Sequence, residues 1–209
     1  LEKFKYLKYS LFLPKVERVL INLKMKVEIG KTYLTGIPHE GRKLTFQYPA
    51  FSGKYGNVAE AIDKGGLERP TSPKTASLVH DAFQNLKRKY ESKIIKILND
   101  ARFFEFTGNL YLPKSNEEIN NGVILESNPK ITNGRLEMNR PSLIKRLKEN
   151  DHLVKFVPFG YKTGGQVWKE LEVNPYIIAR YGEEGAQKIA EVASKYKRNS
   201  LLWCFDSVD

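Results

Sequence analysis

The period of the apolar positions changes several times along the chain, and each change predicts an element. Phe4, Leu7 and Leu11 recur every three or four residues, and beyond Pro14 so do Val16, Val19, Leu20, Leu23 and Val27. That spacing gathers them on one side of a helix, with the proline separating two stretches. Lysines and arginine fill the intervening positions. Residues 1–24 therefore read as a basic amphipathic helical extension, and 25–209 as a single domain expected to begin near Met25. A basic amphipathic helix suits a membrane surface or a protein groove. Glu2 and Glu17 interrupt its charge, which favours docking on the domain or on a partner.

The period then shortens to two. "KLTFQYP" alternates Leu44, Phe46 and Tyr48 with polar residues, the mark of a half-buried strand. "NVAEAIDKGG" reads as a short helix closed by Gly65. Ser72 is placed to cap the clearest helix, with Pro73 in its first turn. Its apolar face (Val79, Ala82, Phe83, Leu86, Tyr90, Ile94 and Ile97) runs to about Asp100, as one helix or two in succession. Over 102–138 the runs "RFFEF", "NLYLP", "GVILE" and "GRLEM" are short and β-prone. Thr107-Gly108-Asn109, Asn121-Gly122 and Asn133-Gly134 separate them and predict the turns of an antiparallel meander.

"PSLIKRLKEN" returns to helical spacing, and "LVKFVPFGY" is a strand whose Pro158 asks for an edge or a bulge. Asn174 caps and Pro175 opens a helix that Gly182 ends. "EEGAQKIAEVASKYKR" is the next helix, acidic at its start and basic at its end, with Glu184–Lys188 and Glu191–Lys195 spaced as surface ion pairs. Ala186, Ile189, Ala190, Ala193 and Tyr196 face inward, and "LLWCF" closes the chain as a buried strand. Strands and helices mix without the regular alternation of a doubly wound fold. The expectation is an α+β fold: a mixed, mainly antiparallel sheet with helices packed on it.

Charge changes the picture more than composition does. Lysine and arginine number 35 against 24 acidic residues, a net +11 that favours contact with polyanions. One cysteine, Cys204, rules out an intramolecular disulfide, and its apolar neighbours suit an inert thiol. With no glycosylation sequon, these features point to a reducing, cytoplasmic setting. No apolar run approaches a membrane span.

Gly30-Lys31-Thr32 has the letters that end a phosphate-binding loop. The upstream glycine is missing, and "TYLTGIP" after it is β-prone rather than helical, so a strand or turn at the domain edge explains it. "FGYKTGGQVW" is the better ligand loop: Tyr161, Lys162, Thr163, Gly164 and Gly165 offer a cation and a backbone able to form an anion nest. His39, His80 and His152 each adjoin an acid, but no metal-ligand spacing joins them, so no metal or cofactor is expected. His80, beside the apolar face of its helix, is the one candidate general base, though a half-exposed structural histidine explains it as well.

Two basic clusters carry the leading functional expectation. Arg88, Lys89, Lys93 and Lys96 form a stripe at helical spacing, and Lys145, Arg146 and Lys148 form another. Tyr55, Tyr161 and Trp168 are candidates for base stacking. A solvated lysine-rich face is the plain alternative. The expected function is non-enzymatic binding of nucleic acid or a nucleoprotein particle through backbone phosphates. One alternative is an enzyme for a small phosphorylated or anionic substrate, with the 159–168 loop as cradle. The other is an assembly protein that self-associates through residues 1–24.

Overall fold

The alternating "KLTFQYP" becomes the middle strand of a sheet. The computed structural model describes residues 10–14, 32–100, 103–196 and 200–202. In it β1 (Ser10–Pro14), β2 (Thr32–His39) and β3 (Arg42–Ser52) form an antiparallel sheet of order β1-β3-β2. The β2–β3 hairpin closes through Glu40-Gly41, both at positive φ (47° and 73°), with His39 opposite Arg42. Gly36, at φ 82°, takes the register shift between Thr35 and Ile37, a bulge that needs a residue able to sit left-handed.

β1 departs from expectation. Leu11 falls at helical spacing, yet Ser10–Pro14 lies antiparallel on β3, with Leu11 opposite Phe51 and Leu13 opposite Gln47. The reason is long-range. β3 presents an edge of backbone N–H and C=O groups, and a short segment can satisfy them more fully than it can one isolated helical turn. Residues 1–9 and 15–24 of the expected helical extension, and the boundary at Met25, lie outside the described residues. So do Gly30 and Lys31, while Thr32 starts β2 opposite Tyr48.

Three helices follow: α1 (Tyr55–Lys64), α2 (Ser72–Gln84) and α3 (Glu91–Asp100). The apolar face that runs to Asp100 is split at Asn85–Tyr90, so Leu86 falls in the turn and is 51% exposed rather than inward. Ser72 is not the cap of α2; Thr71 is. Ser72 is fully buried, and its hydroxyl serves the tertiary structure by bonding Glu105 and Thr107. Pro73 sits in the first turn as expected.

The second sheet is β4 (Thr107–Leu112), β5 (Gly122–Ser127) and, two small strands and a helix later, β8 (Val154–Pro158), in the order β4-β5-β8. Thr107-Gly108-Asn109 is not a turn: it lies inside β4, opposite Ser127, Glu126 and Leu125. A side chain at Gly108 would run into Met138, so this glycine answers a close approach. Phe103–Phe106 of "RFFEF" is not a strand either. Asn133-Gly134 does turn a hairpin, between β6 (Ile131–Thr132) and β7 (Arg135–Leu136), with both residues at positive φ. β5 is buried on both faces because Val123 and Leu125 enter one core cluster and Ile124 the other. β8 ends at Pro158 on the sheet edge, where a missing N–H is tolerated.

α4 (Arg140–Lys148) is capped by Asn139, whose side chain accepts from Ser142 N at 3.0 Å. β9 (Gly164–Gln166), α5 (Trp168–Leu171), α6 (Pro175–Tyr196) and β10 (Ser200–Leu202) complete the order. Asn174 caps α6 by accepting from Tyr176 N and Ile177 N. Gly182 breaks it with φ 73° and ψ 166°, so α6 is two helical segments that meet at a kink, as the sequence predicts. β10 pairs with β9, while Trp203–Phe205, including Cys204, lies outside the described residues.

The fold is α+β, with antiparallel sheets and six helices among the described residues. α2 packs on β2 and α6 packs on β8, and the two helices pack on each other, so this pair joins the two sheets. Gly185 lies at this contact, where an added Cβ would stand at ordinary van der Waals distance from Pro73 and Ala76, 3.7 Å and 3.8 Å. Among the described residues no helix is long and apolar enough to cross a membrane.

Candidate functional site

The even positions of β3 face the cluster of Leu34, Ile37, Leu44, Phe46, Leu78, Ala82 and Ile94, and Tyr48 continues that face to its rim. α3 covers the same rim. Its approach turn brings Tyr90 against Tyr48, ring centroids 5.3 Å apart and tilted by 57°. Over these rings stand two ammonium groups. Lys93 Nζ lies 5.3 Å from the Tyr48 centroid and 5.6 Å from that of Tyr90, and Lys89 Nζ lies 5.5 Å from Tyr90. The Tyr90 phenol is pulled below its ordinary pKa by the hydrogen bond from Thr32 and by Lys89 and Lys93 beside it.

Lys89, Lys93 and Lys96 are all exposed, and among the described residues none is ion-paired with a carboxylate. Lys89 is in the turn before α3, not in a helix, yet Ser92 N and Ile94 N already bond back to Arg88 O and Tyr90 O. The stripe therefore keeps its helical spacing. Arg88 stands 3.8 Å from Glu91.

The second basic cluster is spent internally. Arg146 bridges Glu126 and Asp151, and these bonds hold its guanidinium above its ordinary pKa. Lys148 bonds Glu118 at 2.7 Å, and Lys145 stands 3.8 Å from Glu149.

The glycine-bearing loop is also engaged. Gly164 and Gly165 are in β9, paired with Leu202 and Leu201. Lys162 Nζ bonds Glu170 at 2.5 Å, and Asn174 Nδ2 donates to Lys162 O. Gln166 Nε2 donates to Thr163 O. Tyr161 is buried and stacked on Tyr176, centroids 5.4 Å apart, and Tyr55 packs edge-on to Phe104. Trp168 is 42% exposed with Lys169 over its ring.

Among the described residues the three histidines have different hydrogen-bond and ion-pair partners. His152 is 90% exposed. His80 Nε2 is 2.6 Å from Glu191 Oε2 and 3.2 Å from the Gln84 amide, joining α2 to α6 at the surface. Among the described residues no group of three or more His, Cys, Asp and Glu side chains is placed to hold a metal ion.

His39 belongs to a constellation the sequence conceals. Its Nδ1 lies 3.0 Å from Ser77 Oγ on α2. Lys188 of α6 donates to that same Oγ at 2.9 Å, to Pro38 O at 2.8 Å and to Glu184. His39 Nε2 faces Glu40 at 3.6 Å. Burial lowers the His39 pKa despite Glu40. Ser77 is 1% exposed, so an acyl group has no approach to it. The group ties the hairpin to both helices.

A second buried network surrounds Glu105. Its carboxylate accepts from Arg180, Tyr181 and Ser72, and Arg180 reaches Tyr176 Oη at 3.1 Å. Burial opposes charge on Arg180, and Glu105 together with the Tyr181 and Tyr176 phenols more than offsets it. Burial likewise raises the Tyr55 phenol to about 12. No signal marks these groups in sequence: Glu184–Lys188 has the spacing of a surface pair, and Ser77 and Glu105 stand in no motif. No family model matches the chain, and no curated protein or solved structure is found similar to it.

Proposed function

We propose that this protein binds nucleic acid through backbone phosphates, using the surface where α3 begins. One observation carries the reading. Lys89, Lys93 and Lys96 stand exposed without a carboxylate partner among the described residues, with Lys93 over the Tyr48 and Tyr90 rings and Lys89 over that of Tyr90. Phosphate contact requires cations that are not already neutralised, because affinity comes from displacing counterions from the polyanion. Lys145, Arg146 and Lys148 meet that condition poorly, each having an acid close by. The net charge of +11 adds long-range attraction.

An enzyme for a small anionic substrate has less support. The backbone of Gly164 and Gly165 is committed to β9, and Lys162 to Glu170.

Fluorescence anisotropy with a labelled oligonucleotide over a salt series tests the proposal. Log affinity is expected to fall linearly with log salt. Changing Lys89, Lys93 and Lys96 together to Gln weakens binding to all sequences alike and flattens the slope by about 2 to 3. Lys145→Gln with Lys148→Gln has a smaller effect. No binding at low salt overturns the proposal.

A further inference from the structure

Among the described residues β8 is an outermost strand of its sheet, and its free edge opens into a groove of about 900 Å³. We propose that this edge takes up an acidic, extended peptide of a partner protein, which joins the sheet as a further strand beyond β8.

The register fixes which backbone groups are free. Val157 lies opposite Val123 and Lys155 opposite Leu125, while Ser127 N bonds Leu153 O and Phe159 N bonds Asn121 O. In an antiparallel ladder the hydrogen-bonded pairs recur at every second residue. Positions 153, 155, 157 and 159 are therefore bonded to β5, and the backbone of Val154, Phe156 and Pro158 turns outward. Val154 N–H is already taken by Asp151 O at 3.0 Å, and Pro158 has no N–H to give. What remains is the N–H of Phe156 and the carbonyls of Val154, Phe156 and Pro158. This edge mostly accepts, so it suits an occupant that mostly donates. An extended peptide does so through its alternate N–H groups.

The groove gives such a strand two walls. Leu147 and Asn150, at and just past the end of α4, line it on the face where Phe156 packs, and Ile178 and Ala179 of α6 line it on the face where Val157 packs. Successive side chains of an extended peptide point to opposite faces, so apolar residues at alternate positions meet the same wall.

Charge selects the occupant. Lys155 lines the groove, is exposed and has no carboxylate partner among the described residues. Asp151, the acid of the same lining, is bound to Arg146 at 2.8 Å, and the neighbouring His152 is 90% exposed. The charge left for a ligand is a cation, which an acid on the peptide complements. A second copy of the chain fits less well, because each copy carries a net +11. Two β8 strands set antiparallel about Phe156 would also place Pro158, which cannot donate, opposite Val154 of the other copy. Only the Phe156 residues would then exchange hydrogen bonds. Lysine and proline on an edge discourage such self-pairing, yet neither obstructs a peptide that brings its own donors and an acid.

A display library of random heptapeptides is selected on the full chain, and the best binder is synthesised with a fluorescent label. Enriched sequences are expected to alternate apolar residues and to carry an acid. Methylating one peptide backbone nitrogen at a time is expected to weaken binding about tenfold at every second position and little in between, the size of one lost hydrogen bond. Lys155→Glu weakens the acidic peptide about tenfold. Asn150→Trp, which narrows the groove from an exposed position, weakens it at least as much. Circular dichroism melts check that each variant folds, and where one does not, Lys155→Gln or Asn150→Leu replaces it. Three results overturn the proposal: no enrichment beyond that on the Lys155→Glu, Asn150→Trp double variant, methylation losses without the alternation, or displacement of the peptide by a single-stranded oligonucleotide. Dimerisation of the chain that Asn150→Trp abolishes assigns the edge to a second copy and overturns it as well. The nucleic-acid reading stands or falls separately, on Lys89, Lys93 and Lys96.

Discussion

Ser77 is a small residue in the middle of a helix, and three elements meet at its oxygen. Lys188 reaches it from α6 and His39 from the β2–β3 hairpin. Lys188 keeps Glu184 and Pro38 O without it, so Ser77→Ala removes contacts rather than stranding the ammonium. The expected loss is about 1 kcal/mol, from urea unfolding curves. Lys188→Met leaves the Glu184 carboxylate, held below its usual pKa by this lysine, and is expected to lose more, about 1–3 kcal/mol. His39 gives the cluster a pH dependence. Glu40 and Glu184 favour its protonation, Arg42 and Lys188 oppose it, and burial, the largest influence, keeps the folded pKa low. The unfolded imidazole takes up its proton near pH 6.5, before the folded one does. The unfolded state therefore binds more protons in that window, and stability falls as pH drops below about 6.5. Urea curves at neutral and mildly acidic pH are expected to show a steeper decline for the native chain than for His39→Gln.

At the scale of elements, α6 depends on its break. Gly182 adopts φ 73° and ψ 166°, a region open in practice to glycine alone. Gly182→Ala is expected to cost about 1–3 kcal/mol, read as a lowered thermal midpoint. Asn174 begins the same helix and also holds the preceding loop through its bond to Lys162 O. Asn174→Ala is expected to lose about 1–2 kcal/mol, more than a simple exposed cap, because the residue is 4% exposed and both ends of its amide are used. α3 shows the opposite economy. Among the described residues of this helix only Ile94 is deeply buried, while its outer side carries exposed lysines. A helix anchored by so small a face is free to specialise its surface.

At the scale of the molecule, the α2–α6 pair holds two sheets that share no strand. β1 comes from a segment well before β2, yet it covers one side of β3. A chain starting at Met25 would lack β1 and keep the apolar clusters formed by residues 34–193. Cooperative melting is expected to persist with a lower midpoint. Exposure of the β3 edge is expected to raise self-association, measured by light scattering. An uncooperative melt would show that β1 is required for the sheet to form.

Much of the fold was legible because its signals are local. The alternation of Leu44, Phe46 and Tyr48, the Asn133-Gly134 turn, the Asn174 cap and the Gly182 break each act within a few residues, and each is where the sequence placed it. Thr107-Gly108-Asn109 misled because its glycine answers Met138 across space, not a turn in its own backbone. Ser72 misled because its hydroxyl found Glu105 and Thr107 instead of its own helix. The basic clusters were legible as charge, since lysine and arginine are charged wherever they stand. Which of them faces solvent without an acid was not, because Glu118, Glu126 and Glu149 reach the second cluster only through folding or a helical turn. The sequence by itself determined the local elements and the net charge, which follow from neighbours and from counting. Only the tertiary structure decided that Lys93 stands over two tyrosines, one from a strand and one from the turn before α3, because that meeting depends on how α3 packs across β3.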